Sequence, residues 1–289
     1  MKLIAIDMDG TLVNNEMTIN KDNVDAIKQA QQSGIEVVIA TGRSYDEAIT
    51  PVKEAGLTLP IICINGAQFR SSEGEVLDSI PISTKVYADT AKVLEAHSIY
   101  YELYTNKGTY SNDGEMAIDI IVDIILSSNP ELPEQKAREL AEYRVRNGRL
   151  ETVESYSSVL DDPELEIYKL LSFSRNEENL KSAFNSLLTF KELAISSSAK
   201  DNIEITHRDA QKGIALQNYA EKLKVDMKEA MAIGDNYNDV SMFELVHHSV
   251  AMGNAVEDIK KLCSFTTKTN DESGVAHAIQ TFLTEDKAF

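Results

Sequence analysis

Residues 4–12 read Ile4-Ala5-Ile6-Asp7-Met8-Asp9-Gly10-Thr11-Leu12. An apolar run passes directly into two carboxylates one residue apart. A β-strand has a side-chain period of two, so Asp7 and Asp9 leave such a strand on the same side. Gly10 then permits a tight turn. The run does not alternate apolar with polar residues, which marks a strand buried on both faces of a parallel sheet. In open α/β sheets the carboxyl ends of the strands face the ligand crevice. Two neighbouring carboxylates repel each other, and a hard cation such as Mg2+, which takes oxygen ligands, removes that repulsion.

By itself the D-x-D pattern also fits a strand followed by an acidic turn, or the metal motif of a glycosyltransferase. The surrounding chain narrows the choice. Short Ile- and Val-rich runs over 2–6, 36–40 and 60–64 alternate with helical patterns over 20–33 and 45–55. Further on, strands over 230–233, 249–252 and 264–267 alternate with helices over 213–223, 239–245, 256–262 and 274–283. Between them lie helical patterns over 84–96, 133–146 and 176–190 and alternating strands over 100–104, 108–111 and 167–173. An apolar run over 116–126 is broken by Asp119 and Asp123, four apart and so on one helix face. The fold class expected is α/β: a Rossmann-like, doubly wound parallel-sheet core over 1–81 and 191–289, interrupted by an α+β insertion over 82–190.

Composition excludes several classes. The chain has 289 residues, long enough for a sizeable core. It has 28 Lys and Arg against 47 Asp and Glu, a net charge of −19 that repels nucleic acid and anionic lipid. No stretch approaches 18 apolar residues, and the opening MKLIAIDMDG turns acidic too soon for a secretory signal. Cys63 and Cys263 stand alone, so neither a zinc site nor a disulfide framework is indicated. There is no G-x-G, GxxxxGK[ST], HExxH or GxSxG. A soluble cytoplasmic protein is expected, a monomer or weak homodimer, with no nucleic-acid or membrane partner.

Other strand ends are polar. The run over 36–40 meets Thr41-Gly42-Arg43-Ser44, where a hydroxyl can donate to a phosphate near a helix N-terminus or can simply cap the helix. The run over 61–64 meets Asn65-Gly66-Ala67, which also reads as a plain turn. The run over 230–233 meets Gly234-Asp235-Asn236-Tyr237-Asn238-Asp239, with Asp239 placed to start a helix. Lys212 opens the helix of Lys212-Gly213-Ile214, where a lysine is ordinarily a solvated charge but beside carboxylates and a phosphoryl group would offset negative charge.

Taken in order, DMDGT, TGR, the lysine of QKG and GDNYND resemble the four motifs of the haloacid dehalogenase (HAD) superfamily of phosphohydrolases. NGA at 65–67, VAMGNA at 250–255 and SGVAHAI at 273–279 resemble its Cof-type subfamily, whose inserted cap is of type IIB. The resemblance implies a Mg2+-dependent phosphatase of small phosphorylated metabolites, with sugar phosphates as one class. It implies Asp7 as nucleophile forming an aspartyl-phosphate, Asp9 as general acid and base, Thr41 as a phosphoryl contact and Lys212 as partner of Asp7 and the phosphate. Asp7, the Met8 carbonyl, Asp9, Asp235 and Asp239 form the implied metal region, in which Asp239 acts through water or orients Lys212. Gly42, Asn65 and Asn238 join Thr41 and Lys212 as implied substrate contacts. A hexose-phosphate mutase is compatible with the same residues. A phospho-acceptor signalling module is the reading from another class, and Asp9 and the long insertion argue against it.

Overall fold

The structure is a computed structural model that describes residues 1–128, 132–145, 150–197 and 201–285. The chain divides into two compact units, Met1–Ile80 with Asp209–Phe289, and Pro81–Arg208. The first begins with β1 (Leu3–Ile6), α1 (Lys21–Gln32), β2 (Glu36–Ala40), α2 (Tyr45–Glu54) and β3 (Ile61–Cys63). All four residues of β1 are fully buried, as a strand with apolar side chains on both faces requires. The helix α1 turns Val24, Ala26, Ile27 and Ala30 inward at helical spacing. Two strands absent from the sequence reading follow, β4 (Gln68–Arg70) and β5 (Val76–Ser79), paired antiparallel at the sheet edge.

The second unit contains α3 (Thr84–Ala96), β6 (Tyr100–Thr105), β7 (Gly108–Ser111), α4 (Gly114–Ser128), α5 (Glu134–Arg144) and β8 (Glu151–Thr152). It continues with α6 (Ser157–Leu160), β9 (Ile167–Phe173), α7 (Glu177–Leu187), β10 (Leu193–Ser196) and β11 (Asn202–His207). The end expected for α5, residue 146, lies outside the described residues. The sheet order is β10-β11-β9-β6-β7-β8. One face carries Leu103, Leu170 and Ile205, which share a single apolar core with Leu94 of α3 and Leu187 of α7. Strand alternation puts Glu102, Tyr104, Lys169 and Glu204 on the other face. Asp119 and Asp123 do share a helix face, bonded to Arg138 at 2.9 Å and Arg175 at 2.8 Å. The return to the first unit falls at Asp209, not at 191, because β10 and β11 pair antiparallel with each other and β11 with β9.

The first unit resumes with α8 (Lys212–Leu223), β12 (Ala230–Gly234), α9 (Val240–Phe243), β13 (His248–Ala251), α10 (Glu257–Leu262), β14 (Phe265–Thr266) and α11 (Gly274–Glu285). Its sheet order is β14-β13-β12-β1-β2-β3-β4-β5, parallel from β14 through β3. The strand order reverses on either side of β1, which lies between β12 and β2. That is the topological switch point, where α/β sheets open a ligand crevice. Among the described residues no helix is long and apolar enough to cross a membrane.

Candidate active site

Four strands of the first unit deliver polar residues to that switch point. Asp7 follows β1, and its N–H donates to the Ile233 carbonyl at 2.9 Å, so the first residue past the strand is still held in the sheet. The chain then winds through Met8–Leu12, where Asp9 keeps extended backbone angles and Gly10 takes φ 74. A Cβ on Gly10 would come within 2.5 Å of Asp235 Oδ2, so the position needs glycine for space as well as for φ. The Met8 carbonyl accepts the Val13 N–H at 3.0 Å and keeps a second lone pair.

Lys212, the first residue of α8, is completely buried. Its Nζ donates to Asp7 Oδ1 at 2.6 Å and to Asp239 Oδ1 at 2.7 Å. Asp239 Oδ2 accepts the N–H groups of Asp235 and Asn236 at 3.0 and 3.1 Å. One carboxylate thus orients the lysine and ties down the loop after β12. Thr11 Oγ1 donates to Asp235 Oδ1 at 3.1 Å. Asp7, Asp235 and Asp239 each place a carboxylate oxygen within 4.8 Å of the others. Three carboxylates against one ammonium leave two uncompensated negative charges. The pKa values carry this imbalance. Burial and the Asp239 charge raise Asp7 well above the ordinary carboxylate value, and the same two causes raise Asp235 to about 6. For Lys212 burial opposes the charge, but the carboxylates of Asp239 and Asp7 outweigh it and hold the ammonium above its usual pKa. An all-oxygen donor set with excess negative charge suits a hard divalent cation.

Asp9 stands apart from the grouped carboxylates. Arg43 holds it with a two-pronged fork, Nε to Oδ2 at 2.9 Å and Nη2 to Oδ1 at 2.5 Å. Asp9, expected in the metal region, is not among the three grouped carboxylates, and its oxygens face Arg43. Arg43 has no role in the sequence reading. It stands just before α2, where Glu47 reaches back to the Ser44 N–H.

Thr41, after β2, is fully buried, and its Oγ1 accepts the Arg43 N–H at 3.1 Å. Ile64 and Asn65 take φ values of 49 and 54. A β-branched residue there is strained, at roughly 1–3 kcal/mol. The strained turn is pinned because the Asn65 N–H donates to the Thr41 carbonyl at 2.9 Å and the Ile64 N–H to the Arg43 carbonyl at 2.9 Å. Asn65 Oδ1 accepts from Asn238 Nδ2 at 3.1 Å and lies 3.2 Å from where a Gly42 Cβ would be. Gly42, Asn65 and Asn238, expected from separate segments, form one polar edge beside Thr41.

A family model for haloacid dehalogenase-like hydrolases matches residues 4–279. The chain is 36% identical over 285 residues to phosphatase YwpJ of Bacillus subtilis, covering 98% of this chain and 100% of that protein. It is 37% identical over 284 residues to the 5-amino-6-(5-phospho-D-ribitylamino)uracil phosphatase YwtE of the same organism, covering 98% of both chains. A solved haloacid dehalogenase-like hydrolase from B. subtilis superposes with a TM-score of 0.86 at 36% identity, over 97% of this chain and 99% of that one.

Proposed function

The chain belongs to the haloacid dehalogenase-like hydrolases and is a phosphoric monoester hydrolase of that family, and on that footing we propose that it is a Mg2+-dependent phosphatase working through an aspartyl-phosphate on Asp7. The observation that carries this reading is the buried group of Asp7, Lys212 and Asp239 with Asp235 beside it. Asp7, Asp235, the Met8 carbonyl and, directly or through water, Asp239 would hold the cation. Bound there, Mg2+ supplies positive charge to the phosphoryl oxygens.

The remaining work falls to side chains. Asp7 attacks phosphorus, and the bond from phosphorus to the leaving oxygen breaks. Asp9, protonated and turned from Arg43, gives that oxygen its proton, so the product departs as a neutral alcohol. Asp9, now ionised, takes a proton from water as the water attacks the acyl phosphate. Inorganic phosphate leaves and Asp7 is restored. Thr41 and Lys212 hold the phosphoryl oxygens, with Gly42, Asn65 and Asn238 along the same edge. Lys212 also keeps the Asp7 oxygen in place between turnovers, so the nucleophile needs little reorganisation.

The substrates we assign are phosphate esters of small metabolites, sugar and polyol phosphates foremost. The relative YwtE is named for a phosphoribityl compound, which supports that class. We assign the choice among leaving groups to the inserted second unit. A panel of sugar phosphates, the phosphoribityl compound and p-nitrophenyl phosphate, each with and without Mg2+, tests the substrate class. Asp7→Asn should abolish phosphate release and leave no hydroxylamine-labile phosphoryl group after acid quench. Full turnover by this variant, or full turnover in excess EDTA after dialysis, would sink the reading.

A further inference from the structure

Two segments singled out in the sequence, 250–255 and 273–279, take no part in the chemistry above. The structure brings the first, and residues leading into the second, against the turn that bears Asp9. Asn254 Nδ2 donates to the Gly10 carbonyl at 2.8 Å, Asn23 Nδ2 to the Leu12 carbonyl at 3.4 Å, and Asn270 Nδ2 to the Val13 carbonyl at 3.1 Å. Three of the four carbonyls over 10–13 thus each accept a side-chain amide. The amides are themselves fixed from the C-terminal segment. Asn254 Oδ1 accepts the Asn270 N–H at 3.0 Å, and Asn23 Oδ1 accepts the Ala276 N–H at 2.9 Å in the first turn of α11. Asn23 is fully buried and Asn270 nearly so, and a buried amide is tolerated only with its partners in place.

The turn needs such help. Asp9 is extended and Gly10 left-handed; backbone bonds from the Leu12 N–H to the Asp7 carbonyl at 3.2 Å and from the Val13 N–H to the Met8 carbonyl at 3.0 Å bridge the turn, and neither involves the Gly10 carbonyl. The carbonyl that Asn254 holds belongs to Gly10, the residue after Asp9. That carbonyl is part of the peptide from Gly10 to Thr11, so holding it fixes ψ of Gly10 and φ of Thr11, the torsions that close the turn immediately after Asp9 and set where Asp9 sits relative to the anchored residues 11–13.

We propose that Asn254 is a positioning residue for Asp9, acting through the Gly10 carbonyl at the head of this asparagine clasp. The proposal rests on the reading of Asp7 as nucleophile and Asp9 as acid and base. Through Asn254 the VAMGNA segment holds the general acid–base group on its line to the leaving oxygen and the attacking water.

The test uses the full chain with Mg2+, comparing the native protein with Asn254→Ala and Asn254→Asp, the latter keeping size but losing the donor. Amide exchange over residues 8–13 should quicken at least about fivefold, with β12 unchanged, because local opening follows the local hydrogen bonds. Single-turnover reaction with p-nitrophenyl phosphate then separates the two chemical steps. Nitrophenolate release, whose leaving group needs no proton, should stay within about twofold of native, while phosphate release slows about tenfold, part of the ~10²–10⁴ that a placed acid–base group supplies. Phosphoryl-Asp7 should accumulate in step. Unchanged exchange, two releases slowed equally, or both releases at the native rate would each overturn the proposal. Full turnover by Asp7→Asn overturns the parent reading and this one with it. That failure is seen without any change at Asn254, so the two are distinguishable.

Discussion

Lys212 and Lys169 are both buried, one in each unit, and both lie among carboxylates. Lys212 touches two of them at 2.6 and 2.7 Å. Lys169 lies 3.9 Å from Glu204 and 4.3 Å from the centre of the Tyr104 ring, so its surroundings include an aromatic face. The first lysine is fixed by short charge-assisted bonds, which give direction as well as energy. The second also lies over a ring, whose quadrupole attracts the cation without fixing its direction. Burial alone therefore does not distinguish the two lysines. Short bonds from one ammonium to two carboxylates, with a third carboxylate alongside, do.

The largest effect expected of this contrast is at Lys212. Lys212→Met leaves buried Asp7 and Asp239 without their cation. The metal-free protein should lose roughly 3–5 kcal/mol of stability, the range for stranding buried charge. Phosphate release should fall by about 10²–10³ or more, the scale of removing one preorganised donor. Melting curves and steady-state rates check both, and a variant within tenfold of native activity would break the contrast.

A smaller effect is expected at Asp235. Its pKa in the folded protein is raised to about 6, chiefly by burial and then by Asp239. An acid with a raised folded pKa binds its proton more tightly when folded than when unfolded. Without metal, stability is therefore lost as pH climbs from about 4 to about 6, the reverse of an ordinary salt-bridged aspartate. Asp235→Asn removes that loss. It should make the metal-free protein more stable at pH 7 by up to about 3 kcal/mol, with the gain vanishing near pH 4. Urea melts in EDTA at the two pH values measure it; an equal gain at both would refute the assigned cause.

The smallest effect is expected at Lys169. Lys169→Met keeps most of the stem packed and removes one ion pair and a cation–π contact, for about 1–2 kcal/mol of stability. Turnover of p-nitrophenyl phosphate should stay within about twofold of native, since no group of the first unit's site is altered. A thousandfold fall would erase the distinction between the two lysines.

Much of the site was legible because the pattern is local. Asp7, Thr41, Asn65 and Asp235 each follow an apolar run, and Lys212 opens a helix, so short-range rules find them. Arg43 was not legible as a partner of Asp9, because the pair is 34 residues apart and nothing near either fixes the pairing. Asn254 and Asn270 are harder still: their contacts with the turn span 244 and 257 residues. In the fold, the parallel strands announced themselves as apolar runs. β4 and β5 did not, since the residues of β5 are exposed or only half-buried and edge strands carry little apolar signal. The return at Asp209 is not legible because β10 and β11 resemble the strands of either unit, and only the pairing of β11 with β9, and of β10 with β11, assigns them.

The register of β1 against β12 joins Leu3 to Ala230, and Lys212 meets Asp7 across 205 residues. On the ribosome, β1 is made long before its neighbour on one side exists. At about 5–20 residues per second, the delay is of the order of ten seconds or more. Throughout it an apolar strand exposes an unpaired edge, the feature that invites mispairing with other chains. The second unit, whose strands come from one continuous stretch, has everything it needs to fold first. The long-range pairing that joins Asp7 to Lys212 thus also leaves the edge of β1 facing β12 open for as long as the rest of the chain takes to emerge.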